Sequence, residues 1–478
     1  MSLICDRTGA LEFLLGRVNY ERTTNVPYQT NEFKLDRMRR LMAHLGDPHL
    51  RLKALHIAGT KGKGSTAAML AAVLQSAGYC TGLYTSPHLE AIEERIAIDG
   101  RQCSEADFVA LAAEVQTATE RLEREFHESN DSRTGPTFFE VTTAMAFLHF
   151  ARRGVEAAVL EVGLGGRLDS TNICLPSVSV VTSISYDHTK QLGHTLAAIA
   201  GEKAGIIKPG VPVISGVVNS EPRQVIERIA AEQQARLYQR GSEFDFETVS
   251  KSSRGAESVQ RLTYREPTSA IWPEIRDLSL GMIGEHQAAN AAVAIAALAR
   301  LVDQGWSVTE ENVRHGLASA RCTARIEVLS QRPAVICDVS HNVASIAALV
   351  KVLQERFAAP RRVLIFASSK DKDARAMLRL LLPEFDRIVF TRYIHNPRAV
   401  EPAELEAIAR DLVESEMVVH EMPRRPQLET AADPAAALFR ARQVAKEDDL
   451  LCITGSFFLA AELQGLLPVN KLSPAGKH

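Results

Sequence analysis

The sequence predicts an α/β fold with two domains, each built on a mostly parallel sheet. Short apolar runs alternate with stretches of helical periodicity along most of the chain, which is typical of parallel strands joined by crossover helices. One of the first predicted strands turns through closely spaced glycines directly into a helix. The length of 478 residues is more than one hydrophobic core usually supports.

Composition restricts the class of protein. Hydrophobic residues make up 46% of the chain and charged residues 24%, which fits a globular protein and argues against disorder. Because 55 Lys and Arg oppose 58 Asp and Glu, we expect no broad basic surface for nucleic acid or membrane. The seven cysteines are scattered without a Cys-x-x-Cys pair, and neither a signal peptide nor a membrane span is evident. The cysteine usage fits a reducing cytosol, so we expect a cytoplasmic protein. We also expect a monomer that acts on small molecules.

The N-terminal segment predicts a covering helix. Apolar residues within 9–45 recur at helical spacing, as in Leu35, Met38 and Leu41, beside a polar, proline-containing loop at 23–31.

A glycine-rich turn follows the predicted strand 52–57. A strand that turns into a helix through glycines aims backbone N–H groups and the positive helix end at one point, which suits a triphosphate. In this phosphate cradle Lys63 supplies a charge and Ser65 a hydroxyl for Mg²⁺. Two residues rather than the usual four separate the first glycine from Gly-Lys, and a turn that binds nothing is the alternative. The predicted nucleotide-binding residues here are Gly59, Thr60, Lys61, Gly62, Lys63, Gly64, Ser65 and Thr66.

Strands and helices then alternate. The predicted strands are 81–85, 92–98, 157–162, 178–184 and 211–215, and the predicted helices are 105–125, 138–152 and 195–205. Three of the strands lead into polar residues, namely Ser86, Glu161 and His188. Because ligands gather beyond the carboxyl ends of parallel strands, we expect these residues to lie near the cradle.

The pattern changes twice in the second half. Polar, β-prone segments between 240 and 282 predict an antiparallel excursion, and a small-residue helix follows at 291–301. A second β/α series starts near Arg325, with strands at 334–339, 363–367, 388–391 and 450–454. The predicted fold is a P-loop nucleotide-binding domain with a parallel-type sheet (1–322, including the excursion) plus a smaller Rossmann-like α/β C-terminal domain (326–478).

Several motifs occur in the order seen in one known family. They are Gly59-Thr-Lys-Gly-Lys-Gly-Ser65, Thr85-Ser-Pro-His-Leu89, Thr137-Phe-Phe-Glu140, Glu161-Val-Gly-Leu-Gly-Gly-Arg-Leu-Asp169, Asp187-His188 and Glu202-Lys-Ala-Gly-Ile-Ile207. The chain resembles dihydrofolate synthase/folylpolyglutamate synthase, within the Mur ligase superfamily. The resemblance extends over almost the whole chain and is least specific in the 240–282 excursion and after residue 345.

The resemblance implies an ATP-dependent ligase. A substrate carboxylate would attack the γ-phosphate to give an acyl phosphate, and the amine of L-glutamate would displace phosphate to form an amide. The implied substrates are dihydropteroate, folates or both. A monofunctional folylpolyglutamate synthase, a muramyl-peptide ligase and a relative that binds ATP without catalysis are the alternatives.

The resemblance also implies two Mg²⁺ sites. Ser65 would hold the first ion on the triphosphate, and Ser86, Glu161 and His188 would hold the second. Hard oxygen ligands suit Mg²⁺, whereas imidazole is a less usual ligand, so His188 rests more on the resemblance than on its chemistry. The alternatives are a salt-bridged Glu161 and a hydrogen-bonded loop histidine.

Further catalytic and nucleotide-binding residues are implied in the same way. Lysines in the position of Lys203 are often carbamylated in this family, and the alternative is a lysine paired with phosphate or an acid. Lys63, Lys203, His188 and His341 are the predicted catalytic residues. Arg325, Asp338 and Asn290 are expected at the ATP phosphates, the ribose and the adenine; the alternatives are a helix cap for Asp338 and a buried amide at the helix start for Asn290. Two departures from the family pattern are Lys61, which replaces an asparagine, and Asp338-Val-Ser-His-Asn-Val343, which lacks a glycine and a proline.

Two segments are expected to recognise the pterin. They comprise Thr137, Phe138, Phe139 and Glu140 in one and Leu168, Asp169 and Ser170 in the other. An aromatic face can stack on a flat heterocycle, and a carboxylate can bond an N–C–N donor edge. Inward packing of Phe138 and Phe139 is the alternative.

Overall fold

The computed structural model describes residues 4–20, 35–129, 135–248, 260–415 and 425–467. They form two compact units, which we describe separately. The first takes the described residues of 1–249, 261–281 and 285–321, and the second takes those of 250–260, 282–284 and 322–478. The predicted α/β fold class is confirmed. The loop predicted at 23–31 and the C-terminal tail lie outside the described residues.

An eight-stranded sheet forms the centre of the first unit, in the order β4-β3-β2-β5-β1-β6-β7-β8. Its strands are β1 (Ala54–Ala58), β2 (Thr81–Tyr84), β3 (Ile96–Ile98), β4 (Arg101–Gln102), β5 (Ala157–Glu161), β6 (Pro176–Val181), β7 (Val213–Ser215) and β8 (Leu237–Gln239). β1 pairs in parallel with β5 and β6, and among the described strands of this sheet only β3 runs against the others, since it pairs antiparallel with both β2 and β4. β2, β5, β1 and β6 are consecutive neighbours, so the segments that follow them meet at one edge.

Helices cover this sheet. They are α1 (Arg7–Leu15), α2 (Leu35–His44), α3 (Lys63–Ser76), α4 (Glu105–Glu128), α5 (Phe138–Arg152), α6 (Thr189–Leu192), α7 (Leu196–Ala204), α8 (Ser220–Glu232), α9 (Glu285–Asp303) and α10 (Glu310–Ser319). α3 packs against both α9 and α10. The contact with α10 is close, because a Cβ added to Gly316 would lie 2.5 Å from Cα of Val73. α9 is rich in buried alanine, which permits a similar approach.

A small antiparallel sheet and the second unit complete the structure. The small sheet has the order β11-β10-β9, with β9 (Asp245–Thr248), β10 (Gln260–Arg265) and β11 (Glu274–Leu280). The sheet of the second unit has the order β12-β13-β17-β14-β15-β16, and only β12 is antiparallel to its neighbour. Its strands are β12 (Glu327–Gln331), β13 (Ala334–Cys337), β14 (Arg362–Phe366), β15 (Arg387–Phe390), β16 (Gln427–Thr430) and β17 (Leu450–Thr454). Its helices are α11 (Val343–Arg356), α12 (Ala374–Leu381), α13 (Pro402–Glu414), α14 (Pro434–Val444) and α15 (Phe457–Gln464).

Two local predictions are wrong. The strand expected at 92–98 begins as a 3-10 helix, Ile92–Arg95, because the Glu94 carboxylate accepts the backbone N–H groups of residues 89–91 and curls the chain. The helix expected at 291–301 begins six residues earlier, at Glu285, so Asn290 lies inside α9 rather than before it. Within the described residues, no helix is long and apolar enough to cross a membrane.

Candidate active site

The cradle lies between the end of β1 and the start of α3. Gly59 has φ 149° and Gly62 has φ 86°, values that side chains disfavour. A Cβ on Gly59 would lie 1.9 Å from Oγ1 of Thr182, and one on Gly62 would lie 2.3 Å from Oδ1 of Asn290. The two glycines therefore adopt backbone conformations that other residues disfavour, and they let Thr182 and Asn290 lie closer to the backbone than a side chain would permit. Asn290 also lies directly beside the cradle.

The loop after β6 holds the cradle in place. Thr60 N donates to Ser183 O at 2.7 Å, and Lys61 N donates to Ser183 Oγ at 3.0 Å. Nζ of Lys61 bonds Oδ2 of Asp187 at 3.1 Å. Roles for Ser183 and Asp187 were not predicted from the sequence. The signal available for Asp187 was Lys61 itself, since a second cation in the cradle calls for a nearby acid.

Two lysines converge on the first glycine. Nζ of Lys63 donates to the carbonyl oxygen of Gly59 at 3.1 Å, and Nζ of Lys203 donates to the same oxygen at 3.0 Å. Lys203 is only 4% exposed. Burial, reinforced by the charge of Lys63, lowers the pKa of Lys203 to about 7. Much of this amine is consequently neutral near physiological pH.

The carboxylate of Glu161 lies close to the start of α3. Oε2 of Glu161 accepts the N–H of Ser86 at 3.3 Å, which joins the ends of β5 and β2. Glu161 Oε2 would lie 3.4 Å from a Cβ placed on Gly64, in the first turn of α3. Ser65, the next residue of that turn, is buried. The described residues contain no group of three or more His, Cys, Asp or Glu that could hold a metal. The hard oxygen donors Ser65, Ser86 and Glu161 nevertheless fit Mg²⁺, which binds few protein ligands and keeps waters and phosphate oxygens.

His188 lies in the loop after β6. It precedes α6 with the left-handed φ of 47°, and its side chain is 51% exposed. Nε2 lies 3.9 Å from Oδ1 of Asp187, the residue paired with Lys61. The loop thus presents His188 on the cradle side of the sheet, and its metal role stays a prediction.

The start of α5 is fixed by a buried ion pair. The carboxylate of Glu140 accepts both N–H and Oγ1–H of Thr137 at 2.8 Å, and Arg37 of α2 binds it at 2.8 Å. Phe138 is 1% exposed, under the guanidinium of Arg95, as the inward-packing alternative requires. Phe139 is only partly buried and lies against Gly163, where a Cβ would approach its ring to 2.4 Å. Phe139 is thus the more available of the two rings.

The glycine-rich loop after β5 is organised around Asp169. Its carboxylate accepts the N–H of Leu164 at 2.9 Å, the N–H of Thr171 at 3.0 Å and the hydroxyl of Thr171. Burial raises the pKa of Asp169, and these donors offset part of that rise. Ser170 Oγ lies 2.8 Å from Thr143 Oγ1 of α5. Leu168 is partly buried and packs against a buried apolar cluster that includes Ile199 and Ala200 of α7. The predicted pterin residues of the loop and of α5 are therefore neighbours.

Comparison with known proteins identifies the family. Residues 57–298 match the Mur ligase middle domain, and residues 324–457 match the Mur ligase glutamate ligase domain. The chain is 33% identical over 436 residues to dihydrofolate synthase/folylpolyglutamate synthase of Bacillus subtilis, covering 90% of this chain and 94% of that protein. The chain belongs to the dihydrofolate synthase/folylpolyglutamate synthase family of Mur ligases. The predicted family is confirmed.

Solved structures of the folylpolyglutamate synthase family agree in fold. The folylpolyglutamate synthase of Thermotoga maritima has a TM-score of 0.79 and 31% identity, covering 98% of this chain and 97% of that one. The Mycobacterium tuberculosis enzyme, complexed with ADP and AMPPCP, has a TM-score of 0.80 and 31% identity, covering 96% of this chain and 98% of that one.

In the second unit, Arg325 lies in a turn whose two flanking residues both have left-handed backbone conformations. Ala324 and Ile326, on either side of it, have positive φ of 52° and 51°. The Asp338 carboxylate accepts the N–H of Ile326 at 3.0 Å and of Ser340 at 2.8 Å. Nδ1 of His341 lies 2.9 Å from the carbonyl oxygen of Val339. Asp338 thus shapes the backbone that presents Arg325, although the expected glycine and proline are missing from its motif.

Proposed function

We propose that the chain is an ATP-dependent ligase that forms an amide between L-glutamate and dihydropteroate, folates or both. The observation that carries this proposal is the convergence of Lys63, Lys203 and Glu161 on a glycine cradle, in a chain whose relatives are named for these two activities. Complexes of related enzymes with ADP support the use of ATP. We further propose that the enzyme is a cytoplasmic monomer.

The reaction consists of two displacements. A carboxylate oxygen of the pteroate or folate attacks the γ-phosphorus of ATP, ADP leaves, and an acyl phosphate forms. The amine of glutamate then attacks the acyl carbon, phosphate leaves, and the nitrogen loses a proton. Both steps bring anions together, so neutralising charge and positioning the reactants are the main catalytic tasks.

The residues of the first unit take these tasks in the following way. The amides of 59–66 and Nζ of Lys63 bind phosphate oxygens. Ser65 would hold one Mg²⁺, and Ser86 and Glu161, with His188, would hold a second. These ions would supply positive charge to the phosphates. The neutral amine of Lys203 can add CO₂ and lose one proton to solvent, and the resulting carbamate would provide an anionic oxygen ligand in place of the amine.

The remaining roles follow the same proposal. Asn290, whose amide lies over Gly62, is the proposed adenine contact. Arg325 and Asp338 are proposed nucleotide contacts, and His341 a catalytic residue. Thr137 and Phe139, with Leu168, Asp169 and Ser170, are proposed to form the pterin site. Phe138, which packs inward, and Glu140, which fixes the helix start, would support that site from below.

Product analysis tests the function directly. The purified chain is incubated with ATP, Mg²⁺ and L-glutamate together with dihydropteroate, tetrahydrofolate or a UDP-muramyl peptide, and the products are weighed by mass spectrometry. We expect the pterin substrates to gain glutamyl residues with stoichiometric release of phosphate. Extension of the UDP-muramyl peptide alone would instead indicate a muramyl-peptide ligase. ATP binding without any product would indicate a non-catalytic relative.

A further inference from the structure

A buried histidine lies two residues before the end of β1 and has no part in the proposed chemistry. His56 is fully buried, between Leu160 of β5 and Ser179 of β6. Its Nε2 lies 2.8 Å from Oγ1 of Thr171. Its Nδ1 is buried without a hydrogen-bond partner. A buried polar ring with an unpaired nitrogen costs stability, so the hydrogen bond that His56 makes to Thr171 calls for an explanation.

The direction of the two hydrogen bonds at Thr171 Oγ1 follows from the single proton of its hydroxyl group. The hydroxyl of Thr171 has one proton, which it donates to Oδ1 of Asp169, because an ionised carboxylate can only accept. Thr171 Oγ1 must therefore accept its bond from His56, whose Nε2 carries the proton. The ring is then neutral with a bare Nδ1, and burial, which lowers its pKa to about 3, keeps it neutral. The chain of bonds runs in one direction, from His56 through Thr171 to Asp169.

This chain of bonds acts on the carboxylate at the centre of the proposed pterin site. Thr171 donates to Asp169 through both its backbone N–H and its hydroxyl, while Leu164 binds the other carboxylate oxygen. The His56 donor fills a lone pair of the Thr171 hydroxyl and so points the hydroxyl proton towards Asp169. The two Thr171 donors favour the anionic form of Asp169 and hold its carboxylate in one orientation, and so oppose the burial that raises its pKa.

We propose that His56 is a positioning residue for the pterin-bearing substrate, acting through the hydroxyl of Thr171 on the Asp169 carboxylate that accepts the pterin's N–H donors. This inference rests on the proposed function. It assigns a substrate-specific task to a residue of the strand that leads into the phosphate cradle, and it separates that task from phosphate binding.

Four substitutions test this role. Thr171→Val removes the hydroxyl at nearly constant shape, and Thr171→Ser keeps it. His56→Phe keeps a buried ring without the donor, and the double variant His56→Phe/Thr171→Val reports their coupling. For each we would measure kcat, the KM for dihydropteroate, the KM for ATP and the melting temperature.

We expect Thr171→Val and His56→Phe each to raise the KM for dihydropteroate by about tenfold, the loss typical of a hydrogen bond to a charged group. The KM for ATP should change by less than about twofold, Thr171→Ser should restore the wild-type KM for dihydropteroate, and the double variant should be no worse than either single one. Equal losses for ATP and dihydropteroate, or a Thr171→Ser variant as impaired as Thr171→Val, would overturn the inference. Should His56→Phe fail to fold, the two Thr171 variants test the hydroxyl of Thr171, and the tautomer of His56 in the wild-type chain tests the His56 donor.

A direct reading of the tautomer complements the kinetics. In protein labelled with ¹⁵N-histidine, NMR should show His56 protonated at Nε2 and bare at Nδ1, and the opposite tautomer would overturn the inference. Failure of the proposed function has a different signature, because the wild-type chain would then not use dihydropteroate at all. A wild-type chain that does use it, with unaltered variants, would overturn the role of His56 alone.

Discussion

Lys63 and Lys203 donate to one acceptor, the carbonyl oxygen of Gly59, at 3.1 and 3.0 Å. Two ammonium groups this close repel each other, and the more deeply buried one yields its proton first. The lowered pKa of Lys203, about 7, follows from its burial and from this neighbour. Lys63 would bind nucleotide phosphates, whereas the neutral amine of Lys203 would react with CO₂.

Removing the buried amine of Lys203 should raise the thermal stability of the chain while lowering its activity. Because the folded pKa of Lys203 lies below the ordinary value of 10.5, its cost to the folded state is greatest below pH 7 and is relieved as the pH rises from 7 to 10.5. Lys203→Met should therefore raise the melting temperature more near pH 6 than near pH 10, while kcat falls by about 100-fold or more. Lys351→Met, at a side chain 55% exposed, is the control and should change neither. A variant that is both inactive and less stable at every pH would contradict this expectation.

Carbamylation of the same amine has a spectroscopic test. In the presence of ¹³C-bicarbonate, the wild-type chain should give a carbamate carbon resonance, because a neutral buried amine can add CO₂. The Lys203→Met variant should lack this resonance, and acidification should abolish it in the wild type by protonating the amine. A resonance that persists in the variant would come from another amine.

Gly62→Ala should impair nucleotide binding beyond its effect on the backbone. The new Cβ would meet Asn290 Oδ1 at 2.3 Å, and the residue would keep φ 86°. Gly78 offers a matched control, since its φ is 88° and a Cβ there meets nothing within 4 Å. Both variants should lose about 1 kcal/mol of stability from the left-handed backbone. Only Gly62→Ala should weaken ATP binding, by about tenfold or more, as measured by calorimetry. Equal affinities in the two variants would argue against the cradle.

Breaking the buried pair Arg37–Glu140 should cost more stability than breaking an exposed ion pair. Both side chains are buried, so Glu140→Gln removes the negative charge that offsets the buried Arg37 guanidinium and should cost about 3–5 kcal/mol in the free energy of unfolding. Glu232→Gln breaks an exposed pair with Arg228 and should cost less than about 1 kcal/mol. Urea unfolding of the two variants provides the comparison. Similar values for both would show that water reaches the Arg37 site.

Gly163→Ala tests the pterin site by steric means alone. Its Cβ would approach the ring of Phe139 to 2.4 Å and force that ring to move. The KM for dihydropteroate should rise by about three- to tenfold with an unaltered KM for ATP, the size expected for local overpacking. Gly201→Ala in α7, where a Cβ meets nothing within 4 Å, should leave both KM values unchanged. A rise in the KM for ATP instead would place Phe139 outside the pterin site.

Much of the fold was predictable because its strands are short apolar runs with clear ends. The helix predicted at 138–152 is α5, and the strand predicted at 450–454 is β17. The placement of the cradle, Ser86 and Glu161 at one edge follows from parallel pairing alone. The 3-10 helix at Ile92–Arg95 could not be predicted this way, because a single carboxylate, that of Glu94, overrides the apolar alternation.

The partners of the site residues were beyond sequence reasoning. Arg37 and Glu140 are separated by 103 positions, and His56 and Thr171 by 115. No local pattern connects such pairs, since contacts between distant segments depend on the packing of whole elements. Motifs in the sequence indicated which residues matter, whereas the structure supplies what each one touches.

The close packing of α3 against α9 and α10 has a consequence for nucleotide affinity. A helix packed this closely, with Gly316 against Val73 on one side and the alanines of α9 on the other, has little freedom left to lose. The amides at its first turn, which we propose bind phosphate, are thus ordered before a nucleotide arrives, so we expect binding to require little additional loss of conformational entropy. On this proposal, small residues distant in sequence from the cradle preorganise it for phosphate.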